Sequence, residues 1–186
     1  MLKNYQQRVV SDIESFFSDI DTARKSFESL PENLKKTLGS PINVAFVGKY
    51  EQFQDRPKTG ANGLYPRVCI KMPTGGGKTL IAIEAIRSYQ NLLAKKRTGL
   101  VVWITHRDQI YKQTIENLQN KSHPYRQLLD QASGNRTLII EKGQSLRQQD
   151  VQENLVVLML MIQSATRDTN KIFEDSGGYM DFFPPE

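Results

Sequence analysis

Residues 69–79 read Cys-Ile-Lys-Met-Pro-Thr-Gly-Gly-Gly-Lys-Thr, and the run of Gly75, Gly76 and Gly77 into Lys78 and Thr79 is suited to holding a phosphate chain. Without Cβ atoms, successive backbone N–H groups can curl around a pyrophosphate. A helix opening at Lys78 would turn its unpaired N–H groups and the positive end of its dipole toward the same anion. Lys78 would reach the β and γ oxygens as a point charge. Thr79 stands where a hydroxyl ligates the Mg2+ that accompanies a nucleoside triphosphate. Pro73, Thr74 and Leu80 complete the candidate nucleotide-contacting set around these residues. The strict motif asks for glycine where Met72 stands, so only its second half matches. A plain glycine-rich connector, with Lys78 and Thr79 as ordinary first-turn residues, is the alternative; the coincidence of strand, turn, Gly-Lys-Thr and helix argues against it.

The elements that must position this loop follow from periodicity. The alternation of Val68, Ile70 and Met72 predicts a strand at 67–72. Leu80, Ile81, Ile83, Ile86, Tyr89, Leu92 and Leu93 recur at helical spacing, and Lys95, Lys96 and Arg97 suit the end of a helix over 78–95. Further on, the pattern predicts a strand at 99–105, a helix at 107–118, a strand near 137–141, a polar crossover and a strand at 155–162. Alternating strands and helices of this kind define an α/β fold, a mainly parallel sheet with helices on both faces. Ligands of such sheets sit at the carboxyl ends of the strands. The loop, Thr105–Gln109 and Gln163–Asp168 all follow predicted strands there. Upstream, Leu2, Tyr5, Val9, Ile13, Phe16, Phe17 and Ile20 form one helical stripe. A charged helical piece over 21–38 is interrupted or started at Pro31 and ended by Gly39-Ser40-Pro41. Residues 42–50 read as a strand and 51–66 as an exposed loop, which divides the chain into a helical segment, 1–41, and the α/β part, 42–186.

Composition narrows the classes. With 186 residues and 38% hydrophobic content, the chain can bury one substantial core. The longest apolar run, Leu155–Ile162, is far below the roughly 20 residues that cross a bilayer, and it reads as a central parallel strand covered on both faces. The start of the chain turns polar at once and shows no signal peptide, so no membrane partner is expected and the cytoplasm is the expected compartment. A single cysteine, Cys69, excludes an intrachain disulfide and, within a predicted strand, suggests packing. The net charge of +5 leans toward an anionic partner, though charge of this size also serves solubility. His106 and His123 lack neighbours at metal-ligand spacing and read as surface or loop histidines.

Four stretches together carry a family likeness: Leu-Lys-Asn-Tyr-Gln at 2–6, the segment 69–79, Gly-Leu-Val-Val-Trp-Ile-Thr-His-Arg-Asp-Gln-Ile-Tyr-Lys-Gln-Thr at 99–114, and Asn-Leu-Val-Val-Leu-Met-Leu-Met-Ile-Gln-Ser-Ala-Thr-Arg at 154–167. In these the chain resembles the first RecA-like motor domain of superfamily 2 helicases and translocases, nearest to the restriction (Res) subunit of type III restriction enzymes and related DEAD/DEAH-type proteins. The resemblance implies a three-layer P-loop NTPase fold, ATP and Mg2+ as cofactors, and catalytic duty for Lys78 and Thr79. It implies that Gln6 reads the Watson–Crick edge of adenine, with Tyr5 packed beside it. Thr105, His106, Arg107 and Gln113, with Gln163, Ser164 and Thr166 as a second group, would contact the phosphate backbone of DNA, which carries no sequence information. A modification methyltransferase subunit is an implied partner.

Such motors also need an acidic element, typically Asp-Glu-x-His after an apolar strand, to hold Mg2+ and position water. Residues 1–186 contain no such stretch. The resemblance therefore places it beyond residue 186, ahead of a second motor domain and, in restriction enzymes, a nuclease domain, and these residues alone should bind ATP better than they hydrolyse it. Two other classes stay open: a non-catalytic nucleotide-binding module, which would show no turnover stimulated by nucleic acid, and a small-molecule kinase, for which Thr166–Lys171 is the best candidate lid. Unspecific Tyr-Gln chemistry in an amphipathic helix, and a Thr105 helix cap with a solvated first turn, are the ordinary structural readings of the two binding segments.

Overall fold

The computed structural model describes residues 2–41, 45 and 68–161. The chain separates into two compact units, one holding the described residues up to Lys78 and the other those from Thr79 onward.

In the first unit, α1 runs from Asn4 to Glu28. Its buried line passes through Gln6, Val10, Ile13, Phe16, Ile20 and Ala23, spaced three or four residues apart as one helical face requires. The sequence stripe placed Tyr5 and Val9 on that face; the helix is rotated so that Gln6 and Val10 are buried instead, and Tyr5 is 40% exposed. Pro31 stands before α2 (Glu32–Leu38), which ends at Gly39 with φ 75°. A break at Pro31 and a stop at Gly39 match the turn chemistry of the sequence. Of the strand expected over 42–50 only Ala45 is described, and it is helical, not extended; the loop expected over 51–66 falls outside the described residues.

The strand expected at 67–72 is absent from its described part: residues 68–73 are in neither helix nor strand. Val68 is 56% exposed, Ile70 is exposed, and Cys69 is exposed rather than packed. Alternation alone does not make a strand, because the ladder needs a partner, and the described strands pair only with one another.

In the second unit, α3 (Lys78–Ser88, whose first residue closes the first unit) widens into a π-helix at Tyr89–Ala94, and Lys95 follows in the left-handed region with φ 52°. Then come β1 (Gly99–Thr105), α4 (Asp108–Gln119), α5 (Pro124–Ser133), β2 (Thr137–Glu141), α6 (Gln148–Glu153) and β3 (Leu155–Met161). The sheet is parallel with order β1-β3-β2. Register sets Gly99 and Thr137 both opposite Leu155, and Thr105 opposite Met161.

The central strand shows why the fold is α/β. Side chains alternate faces along a strand. Leu155, Val157 and Met159 pack with Ile83 of α3, Ile115 and Leu118 of α4 and Leu129 of α5. Val156, Leu158 and Leu160 face the other way, with Ile140 of β2, Leu146 of the following loop and Val151 of α6. All six are buried, so the continuous apolar run is what a strand with two covered faces demands. Each contributes about 1.5–3 kcal/mol by burial.

Helix α5, absent from the sequence pattern, is fastened by Arg126. Its Nε meets the Asp130 carboxylate at 2.9 and 3.0 Å, Nη1 donates to Leu118 O at 3.0 Å and Nη2 to Thr137 O at 2.8 Å. One guanidinium thus joins the end of α4 to the start of β2, using the planar fork that lysine lacks.

Candidate functional site

The glycine loop forms a turn that runs into a helix, without the strand expected before it. Gly75 and Gly77 have φ of 74° and 83°, conformations that cost other residues about 1–2 kcal/mol. A Cβ on Gly76 would lie 3.0 Å from Pro73 O. The Gly76 N–H donates to Pro73 O at 3.1 Å, closing the turn, and Lys78 Nζ donates to the same oxygen at 2.8 Å. Lys78 is exposed and opens α3, so its N–H and those following belong to a helix start, where donors lack intrahelical acceptors. Thr79 and Leu80 continue α3, both half-buried, while Pro73 and Thr74 are exposed.

Helix α1 reaches this loop at one atom. Tyr5 Oη donates to Gly76 O at 3.1 Å, and Gln6 Nε2 donates to the same oxygen at 3.1 Å. Gln6 Oε1 accepts the Lys3 N–H at 2.9 Å. The buried amide therefore has one donor and one acceptor position committed, and one of each remaining. No periodicity could have shown the Tyr5 and Gln6 contacts with Gly76, which join residues about seventy positions apart.

In the second unit, Thr105 ends β1 with its hydroxyl buried and without a hydrogen-bond partner. It does not cap α4: the cap residue is Arg107, in extended conformation and without a side-chain cap bond. His106, Arg107 and Gln113 are exposed. The turn after β1 therefore offers a guanidinium, an imidazole and an amide to solvent, while the threonine hydroxyl faces inward. Asp108 pairs with Lys112 at 2.8 Å on the first turn of α4, and this hydrogen bond and charge raise the Lys112 pKa. Tyr111 Oη lies 3.5 Å from Met159 O and 3.5 Å from Lys142 N, tying α4 to the carboxyl end of the sheet. Burial raises its pKa above the usual 10.0, so the stability held in the neutral hydroxyl is present below that value and lost as pH climbs through the raised one. Gln163, Ser164 and Thr166 lie outside the described residues.

A parallel α/β sheet in one unit and, in the other, a glycine loop that opens onto a helix are each features of P-loop nucleotide-binding proteins. The family model for "Type III restriction enzyme, res subunit" matches residues 1–180, and the chain belongs to that family. Its domain is a RecA-like, helicase-type ATPase motor. No curated protein and no solved structure matches the chain. Among the described residues no helix is long and apolar enough to cross a membrane.

Proposed function

We propose that the chain is the ATP-binding part of a DNA-dependent helicase or translocase that serves as the restriction subunit of a type III restriction-modification system or a similar defence protein. The observation that carries this is the loop itself. Two left-handed glycines flank a third where a Cβ would crowd Pro73 O at 3.0 Å, and the turn runs directly into a helix whose first residue is lysine. That arrangement fits the polyphosphate of ATP, because the free N–H groups and dipole of a helix start suit an anion there and the Lys78 ammonium joins them on leaving Pro73 O. Lys78 is assigned to the β and γ oxygens, with Thr79 as the Mg2+ ligand. Pro73, Thr74, Gly75, Gly76, Gly77 and Leu80 line the phosphates. Gln6 uses its remaining donor and acceptor for adenine. Bound ATP supplies the phosphoanhydride whose hydrolysis drives movement, and the acidic element for that step is not among these residues. His106 and Arg107, with Gln113, are assigned to the DNA backbone, together with Gln163 and Ser164. Thr105 joins them only if its hydroxyl turns outward. A modification methyltransferase subunit as partner rests on family membership alone.

Calorimetric titration of the wild-type chain and Lys78→Ala with Mg-ATP tests the reading. A charge-assisted contact contributes about 1.5–3 kcal/mol, so the variant should bind roughly ten- to hundredfold more weakly. Equal affinities would remove the phosphate assignment.

A further inference from the structure

Tyr5 is 40% exposed, yet its hydroxyl donates to the Gly76 carbonyl together with the Gln6 amide. A carbonyl oxygen has two lone pairs, and here both meet side-chain donors from α1 at 3.1 Å. The peptide joining Gly76 to Gly77 is planar and trans, so its C=O and N–H point in opposite directions. Fixing the Gly76 oxygen toward α1 therefore fixes the Gly77 N–H away from α1. Gly77 itself is held at φ 83°, and the other end of the turn is closed by the Gly76 N–H on Pro73 O. The loop's one long-range anchor among the described residues is this carbonyl.

Resting on the nucleotide reading above, we infer that Tyr5 is a positioning residue for the phosphates: its hydroxyl, with the Gln6 amide, orients the Gly76–Gly77 peptide so that the Gly77 N–H is preset for a phosphate oxygen. The start of α1 then acts on the polyphosphate whatever base is attached. The family resemblance sets Tyr5 beside Gln6, and the one polar atom of its side chain points to the glycine loop. Preset donors lower the ordering cost of binding, and a mispositioned peptide forfeits one donor of the cradle.

The probes are Mg-ATP, Mg-GTP and Mg-tripolyphosphate, the last having no base, titrated into the whole chain. Tyr5→Phe keeps the ring and removes only the hydroxyl. Losing one neutral hydrogen bond predicts a two- to tenfold weakening, roughly, and the same factor for all three probes, with the ratio of ATP to GTP affinity unchanged. A loss confined to ATP would place the ring beside the base and overturn the inference. So would unchanged affinities for all three, including the case in which only the melting temperature falls, since that is what a purely structural hydrogen bond would give. Wild-type chain that takes up neither ATP nor tripolyphosphate would sink the nucleotide reading itself, whereas wild-type binding with an indifferent Tyr5→Phe sinks this inference alone.

Discussion

The glycine loop at 73–78 and the turn at 105–108 are both assigned to phosphate groups, but their polar atoms are held in opposite ways. In the loop, Gly76 O takes two side-chain donors, and Pro73 O takes the Gly76 N–H and the Lys78 ammonium. At the turn, Arg107 makes no side-chain cap bond, Thr105 Oγ1 is buried with no partner, and the neighbouring Asp108–Lys112 pair is exposed. An exposed pair of this kind contributes at most about 1 kcal/mol. A ligand of the loop meets backbone geometry already set. A ligand of the turn must order long side chains, at about 0.5–1.5 kcal/mol each, in exchange for charge contacts. The loop's affinity should therefore be sensitive to backbone strain, and the turn's to ionic strength.

The largest effect that would break this contrast lies at Gly77. Gly77→Ala places a side chain at φ 83°, a strain of about 1–2 kcal/mol, which weakens ATP by roughly five- to thirtyfold if the bound loop keeps its present shape. Strain kept in both free and bound loop would appear in the melting temperature instead, so wild-type affinity together with an unchanged melting temperature would mean that this φ is not demanded of the loop. A smaller effect is expected at the turn, from Arg107→Ala. In the full-length protein, DNA affinity should fall about equally for unrelated sequences, and the slope of log affinity against log salt should shrink by about 0.7–0.9, the counterion release of one phosphate contact. ATP affinity without DNA should stay put. An unchanged salt slope would return Arg107 to the role of a helix start only.

Smallest is Thr105→Val, which replaces a buried, unpartnered hydroxyl by a methyl group of similar shape. Removing such a group recovers about 1 kcal/mol, so the melting temperature should rise by about 2–4 °C. If the hydroxyl turns outward to a DNA strand in the complex, the same variant loses DNA affinity, and paired melting and binding curves separate the two outcomes.

What the sequence made legible follows from how local each signal is. Strand β3 was readable because a continuous apolar run needs two covered faces, and Leu155–Leu160 have them. The loop was readable because glycine, lysine and threonine at fixed spacing report backbone geometry, and Gly75 and Gly77 have the positive φ that this spacing implies. Residues 68–73 misled, since Val68, Ile70 and Met72 alternate but pair with no described strand. Helix α5 is hard to read although Pro124 at its first turn, the His123 cap and Gly134 beyond its end are ordinary boundary signals, because its short amphipathic face, Leu129 and Ala132 with the buried Arg126, sits among polar neighbours. The clamp on Gly76 and the inward hydroxyl of Thr105 depend on tertiary packing, which no local pattern encodes.

The strand order β1-β3-β2 also has a temporal side. Strands β1 and β2 pair only with β3 among the described residues, and β3 comes last of the three along the chain. As the polypeptide leaves the ribosome, Gly99–Thr105 and Thr137–Glu141 have no native strand neighbour among the described residues until Leu155–Met161 has followed them out. Until then two apolar edges wait side by side, and any ladder they form with each other has to open again to admit β3 between them. The helices α4 and α5 and the Arg126 fork, all complete before β3 is made, are the parts able to hold the two strands apart in the meantime. Nascent chains halted shortly before Leu155 should thus be the ones that chaperones engage most strongly.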